Sequence, residues 1–177
     1  MIFSKQTSAH VTTVHKVDLT KVAKLRDKIK GGFQERYGFG LTYLSFVTRA
    51  AAPLLKRSGN GAVVNLASIA GLHPAAQVIP YAASKAAIVN MTMSFARILA
   101  PEVRVNAVAP GWMEGRWMQS ALGADYDRLM ERRGKRTPLR RVATPDDVAQ
   151  TIVSLVAEND FVTGQVVVID GGYSIVA

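Results

Sequence analysis

The chain has 177 residues, 49% hydrophobic and 20% charged, an ordinary globular composition long enough for one domain with a real core. No apolar run reaches the ~18 residues of a membrane span, and Met1 to His10 lacks the layout of a signal peptide. There are no cysteines, which excludes disulfides and thiolate chemistry, and the expected location is cytoplasmic.

The formal net charge is +9, and residues 128–141, "RLMERRGKRTPLRR", hold seven of the basic side chains. Such a run suits nucleic acid or an anionic substrate. It has no interleaved aromatics to stack on bases, so a solvated surface segment is the expectation and nucleic acid is not. No metal site is expected.

In chain order, "VTTVHKVDL" at 11–19 is rich in β-branched residues and predicts a strand. "KVAKLRDKIKG" predicts a short helix stopped by Gly31 and Gly32, and "GGFQERYGFG" a turn. Apolar residues at helical spacing predict a helix over 41–57, with Pro53 bending it or marking its last turns. "GAVVNLAS", 61–68, suits a strand buried on both faces. A helix follows from Tyr81, ended by Pro101, and then a second buried strand, "VRVNAVAPG", 103–111. Thr144, Pro145 and Asp147 form the clearest helix start, a capping box with proline at the first helical position. "QVVVIDGG" predicts a last buried strand and a glycine turn.

Apolar strands alternating with helices predict an α/β fold, a parallel sheet covered on both sides. Ligands of such sheets bind beyond the carboxyl ends of the strands. Ser68 and the Pro110-Gly111 turn fall at two such ends.

Ser68, Tyr81 thirteen residues later and Lys85 four beyond that suggest carbonyl chemistry. Tyr81 and Lys85 share a helix face. A phenol is a poor acid or base at neutral pH, and a neighbouring ammonium favours its phenolate. Such a tyrosine gives a proton to a carbonyl oxygen or takes one from an alcohol. Ser68 is placed to hold the same oxygen. No side chain here carries a hydride, so a nicotinamide has to. Tyr-x-x-x-Lys alone is weak; the serine on a strand end and the strand-Pro-Gly pattern make the combination stronger.

From Leu41 to Ala177 the chain resembles the short-chain dehydrogenase/reductase family, and is similar to its 3-oxoacyl-carrier-protein reductase-like members. "VVNLASIAG", "YAASKAAIVNMTMSFA", "VRVNAVAPG", "TPLRRVATPDDVAQTIVSLVAE" and "TGQVVVIDGGY" carry the resemblance in family order. It implies an incomplete Rossmann-type doubly wound sheet, helices on both faces, in one shortened domain: 1–40 a remnant of the nucleotide-binding half, 41–177 the catalytic half. It implies that Ser68 orients the carbonyl, that Tyr81 is the proton donor or acceptor, and that Lys85 activates it and bonds the nicotinamide ribose. Pro110, Gly111 and the backbone of Met113 would line the nicotinamide side of NAD or NADP, and Asp18 and Leu19 would contact the adenine. His73, Gln77, Ile79, Trp112 and Trp117 fall where the family shapes its pocket, which suits a small apolar carbonyl or alcohol. The family commonly forms homo-oligomers through the helices that are 41–57 and 81–99 here.

The family's glycine-rich turn, TGxxxGxG, is missing from these 177 residues. That turn sets backbone N–H groups and a helix N-terminus against the pyrophosphate. Only 39 residues precede Gly40, too few for the two units the family places there, since one takes ~30. Gly40 stands where the family has the asparagine of a proton relay, and Gly115 where it has a carboxamide-binding threonine; glycine has no side chain to supply either bond. Missing strands also leave sheet edges that invite pairing. The expected function is therefore an NAD(P)-dependent oxidoreductase with weak or absent turnover and cofactor binding weakened or lost. The alternative is an inactive truncated homologue that acts through oligomerisation or partner binding.

Overall fold

The structure, a computed structural model, describes residues 20–37 and 43–176. The chain divides into two compact units, Met1–Val47 and Thr48–Ala177. The strand expected at 11–18, with Asp18 and Leu19, and the position Gly40 lie outside the described residues.

In the first unit, helix α1 spans Thr20–Tyr37. Gly31 and Gly32 do not stop it. Nothing lies within 4 Å of a Cβ built on either, so their penalty is the backbone entropy of glycine, ~1 kcal/mol each. Good helix formers on both sides, Lys28 and Lys30 before and Gln34 to Arg36 after, carry the helix through. Lys30 bonds Asp27 at 2.9 Å one turn back, and the Arg26 guanidinium lies 4.9 Å from the Tyr43 ring centroid.

Helix α2 spans Leu44–Arg57 and keeps Pro53 inside it, one turn before its end. The second unit is built on three parallel strands: β1 (Gly61–Leu66), β2 (Val103–Pro110) and β3 (Val166–Ile169), in the order β1-β2-β3. The expected strands are thus adjacent and parallel. Gly61 pairs with Val103 and Leu66 with Val108; Ala107 pairs with Val166 and Pro110 with Ile169.

Helix α3 (Ile79–Leu99) joins β1 to β2. It starts two residues before Tyr81, because Pro80 sits at its first positions, where no N–H is needed. Between β2 and β3 come α4 (Arg116–Leu122), α5 (Tyr126–Arg136) and α6 (Pro145–Ala157). The capping box holds: the Thr144 side chain accepts from the Asp147 amide, and the Asp147 carboxylate accepts from the Thr144 amide at 2.7 Å.

Period-2 alternation along β2 sorts the core into two faces. Val103 and Val105 pack with Ala52 of α2 and Ala96 and Leu99 of α3. Val108 packs with Val148 and Leu155 of α6 on the other face. Helices therefore cover both faces of the sheet, as an incomplete α/β Rossmann fold requires. Two buried asparagines of the sheet are paired. Asn65 donates to the Thr92 hydroxyl at 2.9 Å. Asn106 donates to the Val162 carbonyl at 2.7 Å and accepts from the Gln165 amide at 3.0 Å.

Candidate active site at the strand ends

β1 ends at Leu66, and Ser68 follows as a buried cap. Its hydroxyl accepts from the Ala70 amide at 3.2 Å and turns the chain into a short 3-10 segment, Ile69–Gly71. That turn lies hard against α3. A Cβ on Gly71 would stand 2.6 Å from the Lys85 carbonyl carbon and 2.7 Å from the Ala86 nitrogen, so only glycine fits. The Ser68 turn is thereby fixed beside Lys85.

Lys85 reaches back to the sheet. Its amine donates to the Leu66 carbonyl at 2.9 Å and lies 5.6 Å from the Tyr81 ring centroid. Burial holds the half-buried ammonium below the ordinary lysine pKa. Tyr81, one turn earlier, is partly exposed, and Ser84 donates its hydroxyl to the Tyr81 carbonyl at 2.7 Å. Trp117 of α4 stacks on the Tyr81 ring, centroids 6.4 Å apart. One amine thus links the helix bearing Tyr81 to the strand end that leads into Ser68.

The β2 end is as close-packed. Gly111 donates to the Ile169 carbonyl at 3.0 Å, and a Cβ on it would stand 2.6 Å from the Asp170 Cβ. Beyond it, Met113 forms a parallel bridge with Ala143. The bridge bonds run from the Ala143 amide to the Trp112 carbonyl and from the Glu114 amide to the Ala143 carbonyl, each 2.9 Å. Backbone groups alternate sides along an extended segment, so the amide and carbonyl of Met113 face away from Ala143. Trp112 lies under Arg133, whose guanidinium carbon is 4.4 Å from the indole centroid.

The remaining pocket residues are more scattered. His73 and Ile79 line an open groove of about 530 Å³ together with Ala82, Ala83 and Ala86. Gln77 lies in the turn Ala76–Val78. Gly115 precedes α4 at φ +145°, with open space around it.

Two participants are not evident from residue type and spacing. Asp170 packs against Gly111, and its carboxylate accepts from the Gly172 and Ser174 amides, both at 2.8 Å. Burial raises its pKa, but the bonds from Ser174 and Gly172 and the charge of His73 outweigh that and leave it below the usual value. The aspartate-glycine-glycine turn is the signal that could have found it. The Leu66 carbonyl has no sequence signal, because every residue carries one.

Among the described residues no group of acidic, histidine or cysteine side chains could hold a metal, and no helix is long and apolar enough to cross a membrane.

A family described as Enoyl-(Acyl carrier protein) reductase matches residues 12–174. The chain is 42% identical over 130 residues to the short-chain dehydrogenase/reductase homolog YusR of Bacillus subtilis, covering 73% of this chain and 96% of that one. It is 39% identical over 128 residues to the 3-oxoacyl-[acyl-carrier-protein] reductase FabG of Thermotoga maritima, covering 71% of this chain and 50% of that one. Among solved structures, a gluconate 5-dehydrogenase from Burkholderia cenocepacia, in complex with NADP and tartrate, superposes with TM-score 0.67 at 29% identity, over 74% of this chain and 51% of that one. Apart from YusR, the chain spans about half the length of these relatives. With its three-stranded parallel sheet and its matched length, the chain belongs to the short-chain dehydrogenase/reductase family.

Proposed function

We propose that this chain is an NAD(P)-dependent oxidoreductase that interconverts a ketone and a secondary alcohol, with Tyr81 as the acid/base. The observation that carries this reading is the placement of the Lys85 amine, 2.9 Å from the Leu66 carbonyl and 5.6 Å from the Tyr81 ring centroid. An ammonium has three donors, and Leu66 takes one. The other two serve the phenol and a ribose. In reduction the Tyr81 hydroxyl gives its proton to the carbonyl oxygen, and Ser68 donates to the same oxygen. In oxidation both steps reverse. The nicotinamide, when bound, supplies or accepts the hydride.

The nicotinamide side fits a dinucleotide. Gly111 allows close backbone approach, and the Met113 amide and carbonyl face away from their neighbouring segment. The relative solved with NADP supports the same cofactor class here. The pyrophosphate side does not fit, because no glycine-rich turn stands in the sequence. Charge-assisted hydrogen bonds contribute about 1.5–3 kcal/mol each. Losing two or three weakens binding by about 3–9 kcal/mol, or roughly two to six orders of magnitude. The basic run at 128–141 offsets little, since screened surface charges do not replace oriented donors.

The substrate is a small apolar carbonyl or alcohol, supported by the alanine-rich groove that His73 and Ile79 line. The chain self-associates through α2 and α3, where Leu54, Met93 and Ile98 are exposed.

Calorimetric titration with NADH and NADPH tests the reading. The 177-residue chain shows no saturation below about 1 mM. A chain extended by the family's first strand and glycine turn binds in the micromolar range and reduces ketones. Gly40→Asn alone restores neither. Turnover by the extended chain that survives Tyr81→Phe undiminished would sink the assignment.

A further inference from the structure

The basic run at 128–141 is mostly surface charge. Arg128 pairs with Asp125, Lys135 with Glu131 and Arg141 with Asp147, all exposed pairs. Arg133 is different. It is half-buried and touches two rings from separate segments. Its guanidinium carbon lies 4.4 Å from the Trp112 centroid and 5.8 Å from that of Tyr173, and its Nη1 donates to the Tyr173 hydroxyl at 2.6 Å.

The surroundings of Arg133 are rigid. Its carbonyl accepts from the Thr137 hydroxyl and amide at 2.9 and 3.0 Å. Leu139 donates to the Gly171 carbonyl at 3.2 Å. Cβ atoms on Gly171 and Gly172 would stand 2.8 Å from Thr137 Cγ2 and 2.9 Å from Pro138 Cγ. The segment that follows α5 and the turn bearing Tyr173 are therefore closely packed and joined by a backbone bond. Trp112 sits on a third segment, tied to that block by the Arg133 side chain and to Ala143 by the two bridge bonds.

We propose that Arg133 is a positioning residue: it clamps the Trp112 ring and so fixes the segment 112–114, whose Met113 backbone faces the cofactor side. The proposal rests on the functional reading above for what Met113 meets, and on the contacts alone for the clamp. A residue kept here for packing alone would be apolar. Instead Arg133 carries a buried Nε with no hydrogen-bond acceptor, a costly feature to keep. A planar guanidinium stacks and hydrogen-bonds at once, which a lysine ammonium does not.

The chain has two tryptophans, so Trp117→Phe leaves Trp112 as the single tryptophan, selectively excited at the red edge of the absorption band. In that background, Arg133→Met is expected to raise acrylamide quenching of Trp112 at least twofold, and Arg133→Lys by less. Amide hydrogen exchange, read by NMR in the otherwise unaltered chain, is expected to quicken about tenfold at the two bridge amides, Glu114 and Ala143, with Arg133→Met. The amides of β2 should keep their protection. Tyr173→Phe, which removes one hydroxyl, should reproduce a fraction of both effects. Unchanged quenching and exchange in Arg133→Met overturn the clamp. So does a uniform loss of protection, which makes Arg133 a residue of general stability. None of these readouts needs a dinucleotide or turnover. A parent chain that fails calorimetry even when extended sinks the functional reading and leaves the clamp standing.

Discussion

The indole of Trp117 stacks on the ring of Tyr81, with centroids 6.4 Å apart and planes 25° from parallel. Trp117 is itself 68% exposed, so the stack covers the tyrosine without burying the tryptophan. Aromatic pairs contribute about 0.5–1.5 kcal/mol beyond their area. Trp117→Ala should lower the melting temperature by a few degrees at most. It should also raise the rate of Tyr81 nitration several-fold, read by mass spectrometry. An unchanged rate would mean that the stack does not control access to the phenol.

Tyr81→Phe removes one hydroxyl from a partly exposed ring and should leave stability unaltered within about 0.5 kcal/mol. In the extended, dinucleotide-binding chain it should cut kcat by about 10²–10⁴, the usual worth of a general acid. Urea titration and steady-state kinetics on the same preparation separate the two effects.

Gly71 and Gly31 should respond in opposite directions to alanine. At Gly71 the new Cβ meets helix backbone at 2.6 Å, which cannot swing aside. The cost should be about 1–3 kcal/mol or more, seen as a lower urea midpoint. At Gly31 the Cβ meets nothing within 4 Å, and alanine should strengthen α1 by roughly 0.5–1 kcal/mol. Circular dichroism of the two variants reads the contrast.

Asp147 accepts from Arg141 at 2.8 Å and from the Thr144 amide at 2.7 Å. The Arg141 guanidinium first, and Thr144 after it, hold its pKa well below the ordinary 3.8. A depressed carboxylate stabilises the fold above its unfolded pKa and loses that contribution as pH falls from there towards the folded value. Acid denaturation should therefore be shallower in Asp147→Asn as pH falls below about 4. Thr144→Ala should cost about 1 kcal/mol at neutral pH.

Lys85 has the opposite dependence. Burial lowers its folded pKa from 10.5, so the unfolded chain binds more protons between the two values. Stability should rise with pH through that window as the buried charge is lost. Lys85→Met should remove the rise, measured by urea unfolding at a series of alkaline pH values. A wild-type chain whose stability falls there with the same slope as the variant would contradict the assigned shift.

Much of this geometry was legible in the sequence, and for reasons that differ by element. β2 was readable because a central parallel strand is buried on both faces and must be apolar almost throughout. α6 was readable because Thr144, Pro145 and Asp147 satisfy its first amides locally. The sequence is misleading in α1 at Gly31 and Gly32, since glycine makes a helix costlier without forbidding it. The pairing of Tyr81 with Lys85 followed from helical spacing. The anchor of that lysine on the Leu66 carbonyl did not, because it depends on how strand and helix pack. The stack of Trp117 on Tyr81 and the hold of Arg133 on Trp112 join segments far apart in the chain. No local pattern encodes either.

Asn106 has a further consequence for how β3 finds its place. Its amide grips the Val162 carbonyl and the Gln165 amide, the main chain just ahead of the Ala107–Val166 pair. A parallel strand arriving after an excursion of more than 50 residues has no hairpin to set its alignment. A slip of one residue would turn Val167 and Ile169 out of their cluster with Val108 and put Val166 and Val168 in their place. Because a side-chain amide offers one donor and one acceptor at a fixed separation, it accepts one alignment and rejects its neighbours. Asn106 is thus a registration mark. An alanine there should yield a population of misaligned chains that fold slowly and aggregate, even where the average stability is nearly kept.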